Sequence, residues 1–256
     1  MSILDCQRRA PGMPWWRTIG MWVIASTLVY LYFRLLYRLR LFDRHHVPRR
    51  GALIYVSNHQ SHYDPPLVGT AVADRPCAFL ARASLFSFKP FGWFIRAFSA
   101  IPLEREKGGR EALRAATGEL KAGRCVLMFP EGTRTRNGAL GRFRGGFVFL
   151  ARRTGAAVVP VAIEGAHDVW PSGRPLPRWS GWIAVKVGAA VPADELLAEG
   201  DEAAIERIRW TIEEMRMELR AELRGVSHGR WPAHNTGEAP FWQENEQGPR
   251  ARPGKG

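Results

Sequence analysis

The sequence predicts an α/β domain with a central, largely parallel sheet flanked by helices, preceded by an N-terminal membrane-associated helical segment. Three observations lead there. From Gly51 onward, apolar runs of strand length alternate with amphipathic runs of helix length. Gly, Pro and polar turns punctuate the alternation. Hydrophobic residues make up 46% of the 256 residues, enough to cover both faces of a sheet.

Taken in order, ALIYV (52–56) reads as a buried strand, and Asp64 to Val72 as a helix opened by an Asp cap and two prolines. CAFLA (77–81) is a second strand. The aromatic stretch FGWFIRAF follows Pro90, and AIPL (100–103) leads to Arg105. A helix is expected over 109–121, a strand over RCVLMF (124–129), and a helix over 145–155 that Gly155 ends. AVVPVAI (157–163) and WIAVKVG (182–188) complete the strands. Pro160 suggests an edge or a bulge, and the last strand is a candidate for antiparallel pairing. Ile205, Ile208, Ile212, Met215, Leu219 and Leu223 recur at steps of three and four, which marks an amphipathic helix over 201–224. Three parts follow: membrane-anchoring helices in 1–50, the main domain in 51–226, and a tail of Gly, Pro, Asn, Gln and charge in 227–256, expected to be disordered.

The formal net charge is +13, and nine arginines face two aspartates in the first fifty residues. Such a field draws nucleic acid or an anionic membrane. No nucleic-acid-binding signature is present, and the arginines cluster at predicted strand ends instead of forming a stripe, so nucleic acid is not the expected partner. Residues 18–33 form an uncharged run of sixteen, short for a bilayer span, with Trp and Tyr near its ends and arginines behind it. This predicts a helix lying on or dipping into the cytoplasmic leaflet of the cell membrane, a single span being the alternative. Cys6, Cys77 and Cys125 are widely spaced without a CxxC pair, which supports neither a disulfide framework nor a zinc site.

The candidate chemistry begins at SNHQSHYDPP (57–66). It lies between a strand and a helix, where α/β sheets bind ligands. His59 and Asp64 are five apart, so they meet only if the loop folds back. If it does, a carboxylate orients an imidazole that takes a proton as general base. The competing reading makes Asp64 a helix N-cap and His59 a solvated loop residue. After the 124–129 strand comes FPEGTRT (129–135), where Gly132 permits a tight turn and Arg134 offers a planar fork of donors to a phosphate. Arg105, and Arg142 with Arg144 in GRFRGG, add basic groups at strand ends and a helix start. Together these imply a phosphorylated substrate that delivers a hydroxyl.

At these residues the chain resembles the glycerolipid acyltransferases, the family of 1-acyl-sn-glycerol-3-phosphate acyltransferases. NHQSHYD is similar to its HX4D motif. PLER ending at Arg105, FPEGTRT, and VVPVAI (158–163) resemble three further blocks in the same order. The resemblance implies that His59 is the base and Asp64 its orienting partner. Asn58, Arg105, Glu131, Gly132, Thr133, Arg134 and Arg144 would bind the glycerol phosphate acceptor. His62 falls at a variable position. FRGG at 143–146 departs from the commoner FK-basic-glycine pattern, which bears on the head group, and Thr135 stands for the commoner serine. The implied reaction moves a fatty acyl group from acyl-CoA or acyl carrier protein to the free hydroxyl of lysophosphatidic acid, giving phosphatidic acid without metal or cofactor. Glycerol 3-phosphate, a lyso-ornithine lipid or another lysolipid are alternative acceptors. A non-catalytic basic membrane-binding protein and a thioester hydrolase are readings of other classes.

Overall fold

The structure is a computed structural model that describes residues 22–73, 75–82, 100–103, 108–234 and 236–243. Arg105 and the FGWFIRAF stretch lie outside the described residues, as do 1–21 and 244–256.

Helix α1 (Ile24–Tyr37) ends at Arg38, whose left-handed backbone turns the chain into strand β1 (Arg40–Phe42). There follow β2 (Leu53–Ser57), α2 (Asp64–Ala71), β3 (Cys77–Arg82), β4 (Ala100–Leu103), α3 (Gly108–Lys121) and β5 (Cys125–Met128). The second half holds α4 (Gly146–Thr154), β6 (Ala157–Glu164), the short α5 (Ala166–Val169), β7 (Ala184–Val187), α6 (Ala193–Leu197) and the long α7 (Asp201–Val226).

The described strands form one seven-stranded sheet in the order β1-β7-β6-β2-β5-β3-β4. Every pairing is parallel except β6 with β7, so β1 and β7 run against the other five. The two expected features, a largely parallel sheet and an antiparallel last strand, are both present.

Side-chain alternation along the strands builds a three-layer sandwich. Ile54, Val56, Val126, Val158 and Ala162 face one way and meet α3, α4 and α7 through Ala116, Leu120, Phe147, Leu150, Ile208, Ile212 and Leu219. Leu53, Tyr55, Leu127, Val159, Val161 and Ile163 face the other way and meet α1 and α2 through Phe33, Tyr37, Leu67 and Val68. Each aliphatic side chain so enclosed stabilises the fold by about 1.5–3 kcal/mol relative to exposure.

Two domain bounds need correction, and the two alternatives for Pro160 separate. Pro160 is not at an edge, since β6 lies between β7 and β2; it sits where the antiparallel register steps by one residue, from Val161↔Val187 to Val158↔Val191, the irregularity that the bulge reading expects. Its missing N–H falls within this step of the ladder, and its carbonyl still accepts Gly188 N–H at 2.8 Å. A boundary at residue 51 would cut the folded unit, because β1 pairs with β7 and α1 buries Phe33 and Tyr37 on the core. Nor is the chain unstructured from 227: Phe241 is buried, Trp231 and Trp242 pack against the core, and Trp242 stacks on Trp210 at 4.1 Å. The polar average of this stretch hid three aromatic residues whose burial offsets the entropy of ordering it.

No helix among the described residues is long and apolar enough to cross a membrane. α1 instead carries an exposed apolar stripe of Ile24, Leu28, Leu31 and Leu35.

Candidate active site

The parallel register pairs Val56 with Met128 and Ser57 with Val161, so the loops leaving β2, β5 and β6 emerge at one edge of the sheet. That edge holds the described residues among those singled out in the sequence.

All five residues of β2 are buried. Just beyond it, Asn58 spends its amide on the backbone of β6, donating to Ile163 C=O at 2.9 Å and accepting Ile163 N–H at 2.8 Å. The next residues wrap around one carboxylate oxygen. Asp64 Oδ2 accepts Gln60 N–H at 2.6 Å and Ser61 N–H at 2.7 Å, and it lies 2.7 Å from His59 Nδ1. The loop therefore folds back and the five-residue spacing closes. Asp64 makes no capping bond to α2, which removes the N-cap reading.

Asp64 is fully buried and the His59 side chain is 19% exposed, so the pair has a protected side and an open side. With Nδ1–H given to the carboxylate, the hydrogen-bond network assigns the lone pair to Nε2. The imidazole stacks on Phe129 at 4.2 Å with 19° between ring planes. Orientation, tautomer and ring plane are all held, which is what a general base requires.

The loop after β5 supports this turn from beneath. Glu131 Oε1 accepts His59 N–H at 2.7 Å, and Oε2 accepts Gly141 N–H at 3.0 Å. Thr135 N–H donates to His59 C=O at 2.8 Å, so both backbone groups of His59 are tied to this loop. Burial pushes the Glu131 carboxyl up to about 7; the two N–H donors oppose the shift, and Asp64 adds to it.

Gly132 has a φ of +71°, and a Cβ there would lie 3.2 Å from the Arg144 guanidinium carbon. The arginine thus lies across the bare glycine backbone. Arg144 is exposed, as are Thr133 and Arg142, while Arg134 is half-buried. Exposed guanidinium on the rim of an imidazole–carboxylate pair suits an anionic substrate.

Of the residues expected to touch substrate, the structure brings Gly132, Thr133, Arg134 and Arg144 onto one loop beside His59. Asn58 and Glu131 are corrected: both are buried and turned inward, their polar atoms committed to main-chain groups, so they shape the site instead of lining it. Arg105 lies outside the described residues.

Several contributors went unnoticed in the sequence. Gln60 donates to Glu164 at 3.1 Å, and Ser61 Oγ donates to Trp170 C=O at 2.9 Å. Glu164 ends β6 within a buried ionic cluster, accepting from Arg216 at 3.2 Å and from Arg220, while Glu213 takes Arg216 in a two-pronged contact at 2.7 and 2.8 Å. Charges this buried persist only when paired. Arg216 also donates to Gly237 C=O at 2.8 Å, linking the base loop to the C-terminal segment. Their signal in the sequence was polar residues on the apolar stripe of α7, where Glu213, Arg216 and Arg220 interrupt the core-facing pattern.

No group of His, Cys, Asp and Glu among the described residues could hold a metal ion.

Comparison with known proteins places this geometry. A family model described as "Acyltransferase" matches residues 38–164. The chain is 30% identical over 189 residues to a 1-acyl-sn-glycerol-3-phosphate acyltransferase of Pseudomonas aeruginosa, covering 71% of this chain and 70% of that one. It is 32% identical over 126 residues to a lyso-ornithine lipid O-acyltransferase of the same organism, covering 49% and 48%. The crystal structure of the 1-acyl-sn-glycerophosphate (LPA) acyltransferase PlsC from Thermotoga maritima superposes with a TM-score of 0.69 at 26% identity, covering 80% of this chain and 82% of that one. Over several other curated relatives the match spans only 34% to 52% of their length.

Proposed function

Because the chain belongs to the acyltransferase family typified by the 1-acyl-sn-glycerol-3-phosphate acyltransferases, we infer that it transfers a fatty acyl group to the free hydroxyl of lysophosphatidic acid, yielding phosphatidic acid. The observation that carries the reading is the 2.7 Å contact between His59 Nδ1 and a fully buried Asp64.

His59 Nε2 takes the proton of the acceptor hydroxyl as its oxygen attacks the thioester carbonyl of acyl-CoA or acyl carrier protein. Asp64 stabilises the imidazolium so formed. The tetrahedral intermediate collapses, the carbon–sulfur bond breaks, and the thiolate leaves with the proton returned from His59. Arg134 and Arg144, with the backbone around Gly132 and Thr133, hold the acceptor phosphate, and Arg105 is proposed to join them. The exposed stripe on α1 supports docking on a membrane surface, for which the cytoplasmic leaflet is the proposed side.

A second acceptor is worth naming because one relative is a lyso-ornithine lipid O-acyltransferase and because FRGG departs from the usual basic pattern. The test is thiol release from long-chain acyl-CoA in mixed micelles, with lysophosphatidic acid, with lyso-ornithine lipid, or with neither, for the wild type and His59→Ala. Release that depends on lysophosphatidic acid and disappears in the variant supports the reading. Release without any acceptor would make the protein a hydrolase. No release with any acceptor, from acyl-CoA or acyl carrier protein, would return it to a binding protein.

A further inference from the structure

The connection from α5 to β7 reads WPSGRPLPRWSGW over residues 170–182, with two arginines, three prolines and no acidic residue. It is pinned at several points. Arg178 N–H donates to Val169 C=O at 2.9 Å and closes the segment into a lobe, while Trp170 Nε1–H donates to Arg174 C=O at 2.9 Å. Tyr37 at the end of α1 donates its hydroxyl to Arg178 C=O at 2.9 Å, and the Arg178 guanidinium sits 5.7 Å from the Trp231 ring centre. Ser61 holds Trp170 C=O, and the Trp170 ring packs on Tyr63 at 4.9 Å.

A lobe tied down this firmly nevertheless turns two large apolar side chains outward: Trp179 is 89% exposed and Leu176 is 71% exposed. Single exposed apolar residues are ordinary. Here, however, Leu176 and Trp179 are flanked by exposed Arg174 and Arg178, and the lobe abuts the end of the helix whose own exposed stripe is Ile24, Leu28, Leu31 and Leu35. Tryptophan favours the bilayer interface, and arginine beside it gains from anionic headgroups.

We propose that the lobe over residues 170–181 is a second bilayer-contacting element, placing Leu176 and Trp179 in the interface and Arg174 and Arg178 against anionic lipid headgroups. The proposal rests on the membrane docking of α1 stated above and extends it to a surface bonded directly to the base loop. Through Ser61 and Tyr63, the lobe holds the His59 turn in a set orientation to the surface that supplies acceptor and acyl chain. Its prolines keep the segment from collapsing onto the core and limit the entropy lost when it inserts.

The experiment is flotation of the full chain with phosphatidylcholine vesicles containing or lacking phosphatidylglycerol. The chains compared are wild type, Leu176→Ser/Trp179→Ala, Arg174→Gln, and Leu28→Asp/Leu35→Asp on α1. Turnover of a short-chain lysophosphatidic acid below its micelle concentration is measured alongside. The lobe double variant is expected to lower partition about tenfold, the loss of two side chains from the interface. Arg174→Gln is expected to lower it about fivefold, and only with phosphatidylglycerol present. Both variants keep short-chain turnover within about twofold and lose turnover of vesicle-borne acceptor in step with partition. Quenching by brominated lipid in the wild type exceeds that in the Trp179 variant.

Unchanged partition in the lobe variants, with partition lost in the α1 variant, overturns the proposal and leaves membrane docking through α1. Unchanged partition in every variant overturns both. An equal loss of short-chain turnover would make the lobe a structural support of the site and also overturn the proposal.

Discussion

The Glu131 carboxylate accepts the main-chain N–H of His59 at 2.7 Å, so the loop after β5 carries the loop after β2. The relationship turns two separate sequence blocks into one site. It also explains why a carboxylate sits within a basic loop yet faces away from the solvent.

Glu131→Ala should lower kcat while leaving KM for acyl-CoA near the wild-type value, since His59 loses its backbone anchor and not its substrate contacts. Glu131→Gln tests the proton. A carboxyl raised to about 7 by burial holds its proton more tightly folded than unfolded. Its contribution is complete below the unfolded carboxylate value and is lost as pH rises through about 7. Denaturant midpoints across this range should decline with pH more in the wild type than in Glu131→Gln. Parallel declines would sink the assignment.

His59→Ala should reduce acyl transfer by about 10²–10⁴-fold, the span of a positioned general base. Asp64→Asn should come close to that loss while staying folded, because an amide presents a hydrogen to Nδ1 or misdirects the tautomer. Single-turnover acyl transfer checks both. Asp64→Asn at wild-type rate would leave the pair without a catalytic role.

Arg144→Ala is expected to raise KM for lysophosphatidic acid about 10–100-fold, as a lost charged hydrogen bond to phosphate does. Kinetics with a phosphate-free lysolipid provide the control, which should change little. Gly132→Ala should act in the same direction, since φ of +71° strains any side chain and the added methyl would push aside the Arg144 guanidinium 3.2 Å away.

Glu164→Gln leaves Arg216 and Arg220 with one counter-charge fewer in a buried cluster, and should cost about 3–5 kcal/mol of stability. Chemical denaturation reads this directly. A loss under about 1 kcal/mol would mean that Glu213 alone can neutralise the cluster.

Truncation after Val226 uncovers Trp210 and Arg216, which now pack against Trp242 and bond Gly237. The shortened chain should melt several degrees lower than the full chain, by thermal unfolding. Equal melting would return residues 227–243 to the loose tail that their composition suggests.

Much of this architecture was legible beforehand, because hydrophobic period and turn chemistry are local properties. The strands at 53–57 and 157–164 and the helix at 201–226 fall within a few residues of their apolar patterns. Glycine and arginine in FPEGTRT were readable for the same reason, since a tight turn and a phosphate-matching fork are properties of the residues themselves.

What the sequence determined by itself was therefore the α/β alternation, the base and carboxylate as candidates, and the basic loop beside them. Only the tertiary structure decided that His59 and Asp64 touch, that Asn58 and Glu131 face inward, and that Gln60 is joined through Glu164 to α7 and the C-terminal segment. Those relations depend on which strands become neighbours and in what register. Register is set by burying many side chains at once across β2, β5 and β6, and no short window of residues carries that information.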